Sequence, residues 1–178
     1  MVETEWFWLH RDPETVPLKN EAGLDRRHYP YFIDEAAFRA VDDRVAFYAY
    51  HGGVELCDFL FEPTFLISER YEQLFHFLEP ELQFRGIQLY EETKRDKAPM
   101  PLFWLPYLPF REGIHSESLV VQGKAQHLVL KRESLQNIRL AHMRLPAEDI
   151  WLVSLEAAEC ILRRGPQGLY MEKIEDIR

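Results

Sequence analysis

Ile150-Trp151-Leu152-Val153-Ser154, then Leu155 to Arg164, then Gly165 to Ile174, is the stretch from which the fold can be read. Its first residues are an apolar run short enough for a buried strand. Ser154 closes the run, where a serine hydroxyl accepts from an otherwise unpaired amide of a first helical turn. Ala157, Ala158, Ile161 and Leu162 then recur at helical spacing and define one apolar face. Arg163-Arg164-Gly165-Pro166 stops the helix: cations suit the last turn, glycine the left-handed cap, and proline cannot continue. Gly168 opens a second apolar run.

A looser copy lies upstream, in Phe65-Leu66-Ile67-Ser68, then Glu69 to Leu78, then Phe84 to Tyr90. Counted from each serine, the third and seventh residues are apolar in both copies: Tyr71 and Phe75, Ala157 and Ile161. Acids follow each serine (Glu69 and Glu72; Glu156), at the helix end that favours negative charge. The pair reads either as a repeated unit or as two ordinary strand–helix–strand units.

Trp6-Phe7-Trp8-Leu9 is a short strand with large rings on both faces, and Asp34 caps a short helix through Val41. Val45 to Tyr50 and Val54 to Phe61 flank His51-Gly52-Gly53, which predicts a hairpin. A second hairpin is predicted around Gly123-Lys124, between Ser118–Gln122 and Ala125–Lys131; Ile138 to Arg144 is another strand. Four prolines between Pro99 and Pro109 bar that run from a helix and from a central strand, leaving an extended edge. Strands outnumber helices and short turns join them. The expected class is α+β, a largely antiparallel sheet with two or three short helices. A single domain over residues 1–178 fits the length, with a lobe boundary near 92–99 as the alternative.

No apolar run approaches the roughly 20 residues of a membrane span, and the acidic N-terminus lacks the basic region of a signal peptide. A cytoplasmic protein is expected, its Cys57 and Cys160 serving as small apolar side chains in strand or helix rather than as a bridge. Thirty acids stand against 21 Lys and Arg, a net charge of −9. Nucleic acid is disfavoured, because its binding draws on cations at phosphates. Anionic membranes are disfavoured likewise, whereas a basic protein suits such a surface.

No two of the seven histidines fall four residues apart, and the nearest cluster, His115-Ser116-Glu117, reads as a solvated turn rather than a metal site. Ser68 and Ser154 are explained by capping, and there is no Gly-x-Ser-x-Gly. The glycine pairs lack a phosphate loop's Gly-Lys-Ser/Thr ending. No catalytic residue, cofactor or metal ligand is assigned. Phe103, Trp104, Tyr107 and Phe110, stiffened by proline, read either as core lining or as an exposed strip that binds a partner.

The runs Phe65-Leu66-Ile67-Ser68 and Ile150-Trp151-Leu152-Val153-Ser154, each leading into an amphipathic helix, and the later Gly168-Leu169-Tyr170 carry a resemblance. Over residues 60–175 the chain resembles the immunity proteins of bacterial polymorphic toxin systems, in particular the family numbered eleven. It departs where Gly165-Pro166-Gln167-Gly168 stands in place of that family's glycine–phenylalanine ending. The resemblance implies an intracellular, non-catalytic binder of a cognate toxin. A small enzyme with a site built from scattered residues, or a structural subunit, is the alternative. Oligomeric state is not legible from the sequence.

Overall fold

The computed structural model describes residues 5–15, 34–40, 45–50, 56–62, 64–91 and 101–178. In chain order the elements begin with β1 (Trp6–Arg11), α1 (Glu35–Ala40), β2 (Val45–Tyr50), β3 (Phe59–Leu60), β4 (Leu66–Ser68) and α2 (Glu69–Leu78). Then come β5 (Gln83–Glu91), β6 (Leu102–Tyr107), β7 (Leu119–Val121), β8 (Lys124–His127), β9 (Val129–Leu130) and a 3-10 turn at Arg132–Leu135. The chain closes with β10 (Leu140–Leu145), β11 (Glu148–Ser154), α3 (Leu155–Leu162), β12 (Leu169–Lys173) and β13 (Asp176–Ile177).

Two sheets organise these elements, in the orders β2-β5-β6-β4-β3 and β10-β11-β1-β12. β7 with β8, and β9 with β13, form two-stranded pairs. Among the described residues only β2 with β5 and β13 with β9 pair in parallel, so the fold is α+β with mostly antiparallel sheets, as expected. No helix among the described residues is long and apolar enough to cross a membrane.

The two strand–helix–strand units share one topology. β4 and β5 flank β6, and β11 and β12 flank β1; each inserted strand is antiparallel to both neighbours. The strands entering and leaving each helix therefore run parallel. Each unit is also entered from an antiparallel neighbour, β3 for β4 and β10 for β11. The copies differ in chain order: β6 follows its unit, whereas β1 is the first strand of the chain.

The helices start as the sequence implies but are held differently. Ser154 has extended backbone, and its Oγ accepts from Ala157 N at 3.3 Å. Gly165 takes a φ of +61° at the helix stop. Ser68 has the same backbone but no capping bond; its hydroxyl donates to Asp58 Oδ1. Asp34 caps α1 through Ala37 N, at 2.7 Å. The second hairpin forms, but Gln122 and Gly123, both at positive φ, turn it one residue earlier than the expected Gly123-Lys124, and Lys124 already belongs to β8.

Two expectations fail. β2 and β3 lie at opposite edges of their sheet, so among the described residues the two arms of the hairpin expected around His51-Gly52-Gly53 do not pair; its turn lies outside the described residues. β2 instead pairs with β5 along its whole length, from Val45↔Gly86 to Tyr50↔Glu91. The downstream arm pairs with β4 instead, and the Asp58 carbonyl continues that ladder by accepting from Ser68 N. Cys57 lies outside any strand, half-buried, and neither cysteine is in a disulfide.

The proline-rich run is not an edge either: β6 is the middle strand of five. Leu89 N donates to Pro101 O at 3.0 Å. By the two-residue alternation of an antiparallel ladder, the amides facing β5 then belong to Phe103, Leu105 and Tyr107. Pro106 turns its nitrogen to the β4 side, where pairing covers only Trp104 and Phe103. No ladder bond is lost, and a central proline is tolerated.

Three apolar clusters bury both sheets on both faces. One joins Tyr71, Leu74 and Phe75 of α2 and Ala157 and Ile161 of α3 to Phe65 and Ile67 on one side, Trp151 and Val153 on the other. It thus draws on residues from both sides of 92–99, a segment that itself lies outside the described residues. Phe38 of α1 covers the opposite face of the first sheet over Ile87, Phe103 and Tyr107. Trp6, Trp8, Met143, Ile150 and Leu152 fill the opposite face of the second.

Candidate protein-binding surfaces

The aromatic strip divides. Phe103 and Tyr107 are core residues, 3% and 5% exposed, and Tyr107 stacks on Phe38 with centroids 4.9 Å apart. Burial pushes the Tyr107 phenol above its ordinary value, helped by Glu35 and Asp34. Trp104 is half-buried and meets the edge of Phe84, centroids 6.2 Å apart. Phe110, also half-buried, lies under the Arg144 guanidinium at 3.9 Å and against the His142 ring at 4.4 Å. The strip therefore runs through packed structure rather than forming one open face.

Phe110 leads to a polar cluster that sequence reasoning missed. His142 and Trp151 are cross-strand partners on β10 and β11, as are Arg144 and Asp149 two residues on. Period-two alternation puts all four on one face, a signal present around the Pro146-Ala147 turn. His142 is 2% exposed, stacked on Trp151 at 4.1 Å and 12°. Its Nδ1 lies 3.0 Å from Leu108 O, and its carbonyl accepts from Arg111 N at 2.8 Å. Its Nε2 is 3.6 Å from Asp149 Oδ1, which accepts from Arg144 Nε at 2.9 Å. This arrangement pins the chain leaving β6 against the second sheet. The imidazole is enclosed by rings, so it is placed to hold residues 108–111 rather than to meet a substrate.

Among the described residues, no group of three or more His, Cys, Asp or Glu side chains is placed to hold a metal ion. His115 stands at a turn, where Glu117 N donates to its Nδ1 at 3.3 Å.

Exposed apolar side chains sit elsewhere. On α2, Tyr71, Leu74, Phe75 and Leu78 face the core, while Phe77 is 72% exposed on the outer side. Glu69 and Glu72 occupy the first turn of the same helix, and Glu79 and Glu81 follow its end. On α3, Leu155 and Leu162 are exposed beside Glu156 and Glu159. β7 exposes all three of its residues, Leu119, Val120 and Val121. The sequence concealed Phe77 because the run Leu74-Phe75-His76-Phe77-Leu78 is almost continuously apolar, and only the helical phase separates its faces.

The chain matches no protein-family model, and no curated protein is significantly similar to it.

Proposed function

We propose that this chain is a non-catalytic, cytoplasmic protein-binding module of the immunity type, which neutralises a basic bacterial toxin by covering it. The observation that carries the reading is Phe77: a phenyl ring 72% exposed on a helix whose flanks supply Glu69, Glu72, Glu79 and Glu81. Residues 69–81 hold those four carboxylates against the single Arg70 guanidinium, within a chain of charge −9. Aromatic anchors bounded by charge divide the work of binding. The carboxylates speed encounter with a cationic partner, and a desolvated ring slows its departure. The expected pairing of acids with an aromatic anchor thus moves from the 103–110 strip to the outer face of α2.

The test is co-expression with the toxin encoded beside its gene, scored by survival, followed by binding kinetics on the purified pair. Wild-type chain should protect and bind. Phe77→Ala should raise the dissociation rate tenfold or more, and glutamate-to-glutamine changes in α2 should slow association and flatten its salt dependence. Failure of the wild type to protect or bind overturns the reading.

A further inference from the structure

His142 is buried, yet both of its ring nitrogens face oxygens that can only accept. Nδ1 lies 3.0 Å from the Leu108 carbonyl, which obliges that nitrogen to carry the single proton of a neutral ring. Nε2 is then a bare lone pair. It is buried, has no hydrogen-bond partner among the described residues, and stands 3.6 Å from Asp149 Oδ1. A lone pair aimed at a carboxylate is a mismatch, and one added proton removes it.

Charged groups reach this ring from each neighbouring element. On β11, Asp149 favours an imidazolium, and so does Trp151, whose π face lies parallel to the ring at 4.1 Å and 12°. On β10, Arg144 opposes it: its Nε donates to the same Asp149 Oδ1 at 2.9 Å, and its guanidinium lies 3.9 Å over Phe110. On the segment leaving β6, the Arg111 and Glu112 side chains are exposed, while the Arg111 amide donates to the His142 carbonyl at 2.8 Å. Burial opposes the charge as well. The carboxylate and the indole face act at contact range, on the nitrogen and the ring that would carry it.

We infer that His142 is a proton-operated latch on residues 108–111. Neutral, the ring makes one hydrogen bond, from Nδ1–H to Leu108 O. Protonated, it makes two at once. Nε2–H closes onto Asp149, and Nδ1–H, now part of a cation, grips Leu108 O more strongly. Closing the Asp149 contact to hydrogen-bond length takes a movement of about half an ångström. Leu108 and Trp151 are both fixed in the core cluster that joins the two sheets. The link that tightens therefore runs from the end of β6 to the β10–β11 hairpin, and acid stiffens the connection between the sheets. The latch is independent of what α2 binds.

The test is nitrogen NMR of the His142 ring together with amide exchange, from pH 8 to pH 5, a range that brackets the ordinary titration of an imidazole near pH 6.5. In the folded chain the ring should pass from the Nδ1–H form to the doubly protonated one. As it does so, the Arg111 amide should become about tenfold better protected relative to its intrinsic exchange rate. The Ser154 amide, bonded to Arg139 O at the other end of the same ladder, reports global stability and should not follow. Asp149→Asn removes the anion and keeps the shape. In that variant, checked for folding by circular dichroism, the second protonation should need more acid and the gain at Arg111 should vanish. If it does not fold, the wild-type readouts decide alone. A ring that keeps one proton throughout overturns the proposal. So does double protonation without added protection at Arg111, an equal gain at Ser154, or a folded Asp149→Asn chain that responds as wild type does.

Discussion

The Ser68 hydroxyl donates to Asp58 Oδ1 at 2.9 Å, while Ser154, at the same place in the other unit, caps its own helix. Asp58 does more than hold Ser68. Its Oδ2 accepts from Gln167 N at 3.1 Å, and Phe59 N donates back to Gln167 O at 3.1 Å. One carboxylate therefore ties the start of α2 to the segment that links α3 to β12. Arg70 adds a longer contact, Nη1 to Asp58 Oδ2 at 3.4 Å.

Asp58→Ala should lower stability by about 1–3 kcal/mol, the loss expected when partly buried donors are left unpaired. Ser68→Ala should cost less alone and almost nothing further in the Asp58→Ala background, because both changes remove the same bond. Urea unfolding of the four proteins closes the cycle. Full additivity would mean that the Ser68–Asp58 bond contributes nothing.

Ser154→Ala, by contrast, removes an N-cap and should cost about 1 kcal/mol. Its effect should add to that of Asp58→Ala. A midpoint unchanged in urea would show that the 3.3 Å contact to Ala157 N is not a cap in energetic terms.

His10 sets an acid-side dependence. Burial lowers its pKa below 6.5, opposed by the Glu172 carboxylate 3.2 Å away. A folded pKa below the unfolded one means that the unfolded chain takes the proton first. The stability carried by the neutral imidazole is present above pH 6.5 and is lost as pH falls through the folded value. His10→Gln should flatten that part of the curve relative to wild type. Glu172→Gln should steepen it, since the opposing carboxylate is gone. Unfolding by urea at several pH values, with the His10 ring followed by NMR, reads both.

The glycines after α3 differ in what surrounds them. A Cβ at Gly165 (φ +61°) meets nothing within 4 Å, so Gly165→Ala should cost only the left-handed strain, about 1–2 kcal/mol. At Gly168 (φ +83°) a Cβ would stand 2.5 Å from Cys57 Cβ and 2.6 Å from Phe59 O. Gly168→Ala should therefore be clearly the worse of the two by thermal unfolding. Equal losses would mean that the Cys57–Phe59 segment yields freely.

These contrasts mark what the sequence carried. Ser154, the Arg163-Arg164-Gly165 stop and the Gln122-Gly123 turn act through residues within a few positions of each other, so spacing alone located their elements. Asp58 reaches Gln167 across the chain, and no local pattern announces it. The glycine pair at 52–53 suggested a hairpin, but β2 found a longer partner in β5. Proline counting placed β6 at an edge because it treated every missing N–H as a missing ladder bond. At Pro106 that nitrogen faces away from β5, beyond the reach of β4.

Two phenylalanines separate core from surface most directly. Phe103 is 3% exposed on the middle strand of its sheet, packed in the cluster that includes Phe38, Ile87 and Tyr107. Phe103→Ala should cost about 3–5 kcal/mol, as large core truncations do. Phe77 is 72% exposed, so Phe77→Ala should shift stability by no more than about 0.5 kcal/mol. If the outer face of α2 binds a basic partner, the ranking reverses in a binding assay. Phe77→Ala then speeds dissociation strongly, while Phe103→Ala, where still folded, leaves it nearly unchanged. Stability is measured by urea unfolding and dissociation by surface plasmon resonance on the same preparations. A Phe77→Ala protein that binds as tightly as wild type removes α2 from the interface.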